Sequence, residues 1–181
     1  KMAAEIGGGM VATNEDIAKY CQYIFLAVKP QMMRDMLEDI APVLAAREDR
    51  FVLVTIAAGL TMETIQEMAG GSYPVIRLMP NIPAAVGNGM ILYCSSKVHV
   101  DEMVTFLQVM KAAGRFDELA ETLIDAGSAV TGCGPAFAAM FIEALADGGV
   151  ACGLPRAKAL EYASQMLLGS AAMVLQSGQH P

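Results

Sequence analysis

Ile24-Phe25-Leu26-Ala27-Val28, closed by Lys29-Pro30, is a continuous apolar run too short for a helix. It is apolar at every position rather than at every second one, so it reads as a strand buried on both faces, as in parallel sheets. The stretch from Phe51 to Ala58, rich in β-branched residues and ended by Gly59, repeats the pattern. Weaker strand candidates are Pro74 to Pro80 and Met90 to Cys94, and Met10-Val11-Ala12 is a short one. Helical segments fit between them. Asn14 can cap a helix over Glu15–Tyr20, and Thr61 one over Met62–Ala69, where Glu63 favours the N-terminus. Asp101 opens another through Ala113, with Met103, Phe106, Leu107 and Met110 at helical spacing and Gly114 closing it. Strand, helix, strand, helix is the grammar of an α/β fold with a doubly wound sheet.

The 181 residues are 55% hydrophobic and 17% charged, which supplies a real core and excludes disorder. A net charge of −7 with no basic stripe argues against a nucleic-acid partner. The charge-free stretch between Asp125 and Glu143 is broken by Gly127, Gly132, Gly134 and Pro135, so no membrane span is expected. No basic start precedes an apolar block, so no secretory leader is expected either. Cys21, Cys94, Cys133 and Cys152 are far apart, without a C-x-x-C pair. That spacing argues against a metal site and reads as buried or near-buried thiols in a reducing cytoplasm.

The composition changes after about Asp125, dividing the chain into residues 1–125 and 126–181. From Ala126 onward only Glu143, Asp147, Arg156, Lys158 and Glu161 are charged. Pro135 suits the first turn of a helix to Asp147, ended by Gly148-Gly149. Pro155 suits a second through Leu175, ended near Gly178. This second helix is apolar on most of its circumference, with Leu160, Ala163, Met166, Leu167, Leu168, Ala171, Met173 and Val174. Two helices cannot bury one another that completely. Either a homodimer interface covers the surplus, or a C-terminal continuation of the same chain does.

In doubly wound sheets ligands sit beyond the carboxyl ends of the strands. Three such ends stand out: Ala27-Val28-Lys29-Pro30, Ala57-Ala58-Gly59, and Met79-Pro80-Asn81-Ile82-Pro83-Ala84. Small residues let a ligand approach the backbone, and Asn81 offers donors and acceptors. Each has a bland reading alone: a surface lysine, sheet packing, turn punctuation. Their recurrence at successive strand ends is what points to a site. Thr131-Gly132-Cys133-Gly134-Pro135-Ala136 is a glycine turn entering a helix, better explained by close packing than by phosphate binding. No histidine near Cys133 in sequence could activate it, and Glu143 and Asp147 read as a solvent-facing edge.

These motifs closely resemble those of the pyrroline-5-carboxylate reductase family. The resemblance rests on Phe25 to Gln31, Ile56 to Gly59, Met79-Pro80-Asn81 with Pro83-Ala84, and Gly132 to Ala136. Phe141 to Val150 and Gly153-Leu154-Pro155-Arg156 continue it in the family's order. It implies a Rossmann-type domain followed by an all-α oligomerisation domain that interleaves with a partner subunit. The implied activity is reduction of 1-pyrroline-5-carboxylate to L-proline, the last step of proline biosynthesis, by hydride transfer from NADPH, with NADH as the alternative cofactor. By motif, Ala27, Val28, Lys29 and Pro30 would line the dinucleotide, and Ala57, Ala58 and Gly59 would lie near the nicotinamide half. Asn14, after the Met10–Ala12 run, matches the family's asparagine near the adenosine end, and Asn81 would face the nicotinamide and substrate. The implied partners are the small-molecule substrate and a second subunit, as a homodimer or a ring of dimers, in the cytoplasm.

Departures from the family are Ile82 for threonine and Cys133 for serine. Larger ones are the family's opening strand with its G-x-G-x-x-G loop and its C-terminal Pro-Gly-Gly-Thr segment, neither of which is in this sequence. The Rossmann-type unit is therefore expected to be truncated, the catalytic group to lie beyond Pro181, and the chain as written to be inactive. The competing reading is a non-catalytic dimerisation or interaction module on the same fold. A hydroxyacid dehydrogenase-type reductase fits poorly, because the only lysine past Lys111 is Lys158.

Overall fold

The structure, a computed structural model, describes residues 7–180. The reading that no leader opens the chain falls mainly on residues outside that range. Contacts divide the chain after Gly132.

Among its described residues the first unit holds five strands: β1 (Tyr23–Leu26), β2 (Val52–Thr55), β3 (Val75–Met79), β4 (Gly89–Ser96) and β5 (Gly114–Glu118). They lie in chain order across one sheet. The described helices that accompany them are α1 (Asn14–Tyr20), α2 (Met33–Ala45), α3 (Met62–Met68), α4 (Val100–Met110) and α5 (Glu121–Thr131). Alternate side chains divide the strands between two cores. Ile24, Leu26, Leu53, Val75, Leu92 and Cys94 meet Met33, Leu37, Ile40, Met62, Ile65 and Ile124 on one face. Val52, Val54, Ile76, Leu78, Ile91 and Tyr93 meet Phe106 of α4 on the other. Phe106 lies against the rings of Tyr23, Phe25 and Phe116. Helices therefore cover both faces, as in Rossmann-type sheets.

The sheet is mixed rather than wholly parallel. β1, β2 and β3 are parallel neighbours, β4 runs antiparallel to β3, and β5 parallels β4. The link from β3 to β4 is only a 3-10 turn, Ile82–Val86, capped by Gly87 at φ +74. That is too short for a crossover, so the chain returns as a hairpin. Gly114 does not close α4. The helix ends at Met110, a 3-10 turn follows, and Gly114 opens β5. The run Met10-Val11-Ala12 is not a strand. Thr13, not Asn14, caps α1, its hydroxyl accepting from the Asp16 amide at 3.2 Å. Thr61 caps α3 as expected, accepting from the Thr64 amide at 3.1 Å. Of the four thiols only Cys94 is buried; Cys21, Cys133 and Cys152 are exposed.

At the opposite end of the sheet from the candidate site, α4 is anchored by Glu102. Its carboxylate accepts from Arg50 Nε at 2.6 Å, Arg50 Nη2 at 3.1 Å and the His99 amide at 2.7 Å. The Tyr23 hydroxyl donates to its carbonyl at 2.6 Å. Burial works against the charged carboxylate, but the Arg50 and His99 hydrogen bonds and nearby positive charge outweigh it and hold its pKa down. A depressed folded pKa contributes stability above the ordinary glutamate range and loses it as pH falls through the folded value. Stability of the wild type should therefore fall as pH drops through and below the ordinary glutamate range, with a shallower slope for Glu102→Gln, measured by denaturation at each pH.

The second unit is a pair of helices, α6 (Gly134–Ala151) and α7 (Arg156–Ser177). α6 continues through Gly148-Gly149 rather than ending there. Glycine in a helix interior is only a propensity cost, and here it allows contact: a Cβ on Gly149 would sit 3.2 Å from the Ala159 Cβ. Ala146, Ala159 and Ala163 form the small buried seam. Glu143 and Asp147 face solvent as expected, and both pair there with Arg156. Gly132 and Cys133 each keep right-handed helical backbone rather than the expected tight turn. The Glu121–Ala151 stretch is long and apolar enough, by length and composition alone, to cross a membrane, and 6% of that window is buried.

Candidate active site

Because β1, β2 and β3 are parallel neighbours, their carboxyl ends open side by side on one sheet edge. Leu26 is in register with Thr55, and Thr55 with Arg77. The three segments singled out in the sequence follow directly. After β1, Ala27 is exposed, Val28 is half-buried against the core, and Lys29 is exposed in extended backbone. Pro30 then starts a 3-10 turn closed by the Met32 amide donating to the Lys29 carbonyl at 2.9 Å.

After β2, the buried Thr55 hydroxyl accepts from the Ala57 amide at 3.2 Å. Ala57 points into the core, whereas Ala58 and Gly59 are exposed. Gly59 has φ +74, and a Cβ there would meet nothing within 4 Å. Only glycine adopts that backbone without strain, and the space beside it is open to a ligand.

After β3, Asn81 is half-buried with both ends of its amide engaged. Its Oδ1 accepts from the Met90 amide at 3.0 Å and its Nδ2 donates to the Thr131 carbonyl at 2.9 Å. It thus ties the end of β3 to the start of β4 and to the last turn of α5. Asn14 is exposed in the first turn of α1. The other end of that helix leads into β1, so Asn14 sits at the end remote from the start of that strand.

Sequence reasoning overlooked the charged group beneath this edge. Arg77, in the middle of β3, is 2% exposed. Its Nη1 lies 3.3 Å from Glu121 Oε1 and its Nη2 2.8 Å from Asp125 Oδ1. The same Glu121 oxygen accepts from the Met62 amide, in the first turn of α3, at 2.7 Å. The Cys94 thiol beside the network is pushed up to about 11, first by burial and then by the Glu121 charge. The legible signal was an arginine inside an apolar strand followed by Glu121 and Asp125 at i,i+4 spacing.

Small side chains, exposed backbone and a glycine in open space give this edge shape rather than a cluster of titratable groups. Among the described residues no three potential metal ligands gather. Such a surface suits a flat or extended ligand that brings its own chemistry.

Residues 121–181 match the family described as pyrroline-5-carboxylate reductase dimerisation. The chain is 38% identical over 176 residues to a pyrroline-5-carboxylate reductase of Glycine max, covering 97% of this chain and 63% of that protein. A crystal structure of the Plasmodium falciparum pyrroline carboxylate reductase with NADP bound superposes with a TM-score of 0.85 at 34% identity, covering 95% of this chain and 64% of that one. A pyrroline-5-carboxylate reductase structure from Coxiella burnetii gives 0.87 at 27% identity, with 98% and 66% covered. The resemblance carried by the motifs thus holds along nearly the whole chain. The chain spans about three fifths of the length of the curated relatives it matches.

Proposed function

We propose that this chain carries the dinucleotide-facing sheet and the dimerisation helices of an NADPH-dependent pyrroline-5-carboxylate reductase, which forms L-proline. The observation that carries the reading is the meeting of Ala27–Pro30, Ala57–Gly59 and Asn81 on one sheet edge, in a chain similar to reductases of that name. NADPH, when bound, supplies the hydride to the C=N carbon. The chain's own part is to bind and orient. Ala27, Val28, Lys29 and Pro30 line the dinucleotide, Ala58 and Gly59 admit its nicotinamide half, and Ala57 sets their backbone from within the core. Asn14 serves the adenosine end. Asn81 shapes the nicotinamide side by fastening the loop there. β1 is an outer strand among the described residues and its Phe25 is 45% exposed, which suits docking of a further strand with the phosphate loop.

The test is NADPH oxidation by the complete reading frame with pyrroline carboxylate. Substrate-dependent turnover is expected, and none would sink the reading. The large apolar surface of α6 and α7 favours one rival, a non-catalytic dimerisation module. Self-association without dinucleotide binding in the same preparation would support it.

A second copy of the chain is the occupant we assign to that surface. Phe137, Met140, Leu168, Met173 and Leu175 are all more than 60% exposed in the single chain. Exposed apolar area of this extent marks an interface. Leu168→Glu should shift sedimentation from dimer, or ring of dimers, to monomer at micromolar concentration; an unchanged mass would refute the assignment. A cytoplasmic setting accords with four unpaired thiols, and the −7 charge with a small-molecule rather than nucleic-acid partner.

A further inference from the structure

We propose that Glu121 is a positioning residue for the Ala57–Thr61 loop, with Arg77 fixing where its carboxylate stands. This inference rests on the dinucleotide reading for its purpose, but its geometry stands independently. The loop is held at both ends. At its start, Thr55 Oγ1 accepts from the Ala57 amide; at its end, Glu121 Oε1 accepts from the Met62 amide at 2.7 Å. Between these anchors lies Gly59, with positive φ and open space beside it. The first amides of a helix have no partner within it, so a carboxylate brought from α5 both satisfies one and fixes where α3 begins.

Arg77 explains why that carboxylate does not wander. Its guanidinium is sunk in β3, with Asp125 on one nitrogen and Glu121 on the other. Its Nε is buried without a hydrogen-bond partner. Apolar side chains of similar volume in place of a whole buried ion cluster are often as stable or more so, which makes stability alone a poor account of this one. What the arginine adds is direction: a planar fork with fixed geometry aims Glu121 Oε1 at the Met62 amide.

The test uses protein from the complete reading frame and two measurements. Amide hydrogen exchange reads the loop directly, and NADPH titration reads its consequence. In Glu121→Ala, exchange at Met62 and across 57–61 should accelerate about tenfold or more while β2 and β3 amides keep their protection, and NADPH should bind about tenfold more weakly. Glu121→Gln keeps an acceptor oxygen and should return both to within about threefold of wild type. Glu121→Met fills the same volume without an acceptor, and carries the question if the alanine variant does not fold. Unchanged exchange at Met62, acceleration spread evenly over the sheet, or local loosening with undiminished NADPH binding would each overturn the proposal. A wild type that binds no NADPH would instead overturn the dinucleotide reading, while the exchange data still decide whether Glu121 holds the loop.

Discussion

Gly114→Ala should cost roughly 3 kcal/mol or more of folding stability, among the largest effects of any single substitution in the first unit. Gly114 opens β5 at φ +137, a backbone conformation that side chains oppose. It also stands in register with Gly89 at the start of β4. A Cβ on Gly114 would collide with the Gly89 carbonyl oxygen and nitrogen. Those are backbone atoms inside a ladder and cannot rotate away, so the strands must separate or the pairing must slip. Gly89 reciprocates, since a Cβ there would come 2.7 Å from the Ala113 carbonyl. Gly59→Ala is the internal control. It carries a similar φ penalty with no clash, and should cost about 1 kcal/mol. Chemical denaturation of the three proteins measures both. Equal losses for Gly114→Ala and Gly59→Ala would show that backbone conformation alone matters and that the predicted clash relaxes freely.

The second large effect concerns Arg77. Arg77→Ala should destabilise by about 3 kcal/mol, because it leaves a cavity in the core and strips Glu121 of its partner. The penalty stays below that of a fully enclosed pair, since Asp125 is 74% exposed and water can solvate it once the arginine is gone. Arg77→Met fills the volume but leaves Glu121 equally unpaired, so it should recover only the cavity part of that loss, ending about 1–2 kcal/mol below wild type. If both variants lose the same large amount, the ion pairs stabilise the fold outright. The position-setting account would then lose its premise, that the arginine's main contribution is direction rather than stability. The comparison is made by denaturation, with NADPH affinity measured in parallel: Arg77→Met should bind as weakly as Arg77→Ala although it is the more stable of the two.

Much of the architecture was legible along the chain. β1, β2 and β3 were found by their apolar runs and by the glycine or proline that ends each; burial on two faces holds for β2 and β3, whereas β1 was expected to share it but leaves Phe25 45% exposed on one face. Thr61 announced α3, and Pro155 with Gly178 bracketed α7. β5 was not legible. Arg115, Asp117 and Glu118 make it polar, and Gly114 mimics a helix stop; only its pairing with β4 makes it a strand. The reversal of β4 was hidden for a related reason. Its apolar run reads alike in either direction, and the direction is set by the nine residues between the strands folding as a 3-10 turn instead of a crossover helix.

The site divides in the same way. Which residues are small, flexible or stiff at the ends of β1, β2 and β3 was determined by the sequence itself, since those properties belong to single side chains and their neighbours. That the three ends form one edge, that Ala57 turns inward while Gly59 faces open space, and that Asn81 is bound at both ends of its amide were decided only by tertiary structure. So was the reach of Glu121 back to Met62, across 59 positions, and to Arg77, across 44. Hydrogen bonds and ion pairs depend on distance in space to within a few tenths of an ångström. A linear sequence determines which groups could form them, and the packed sheet determines which do.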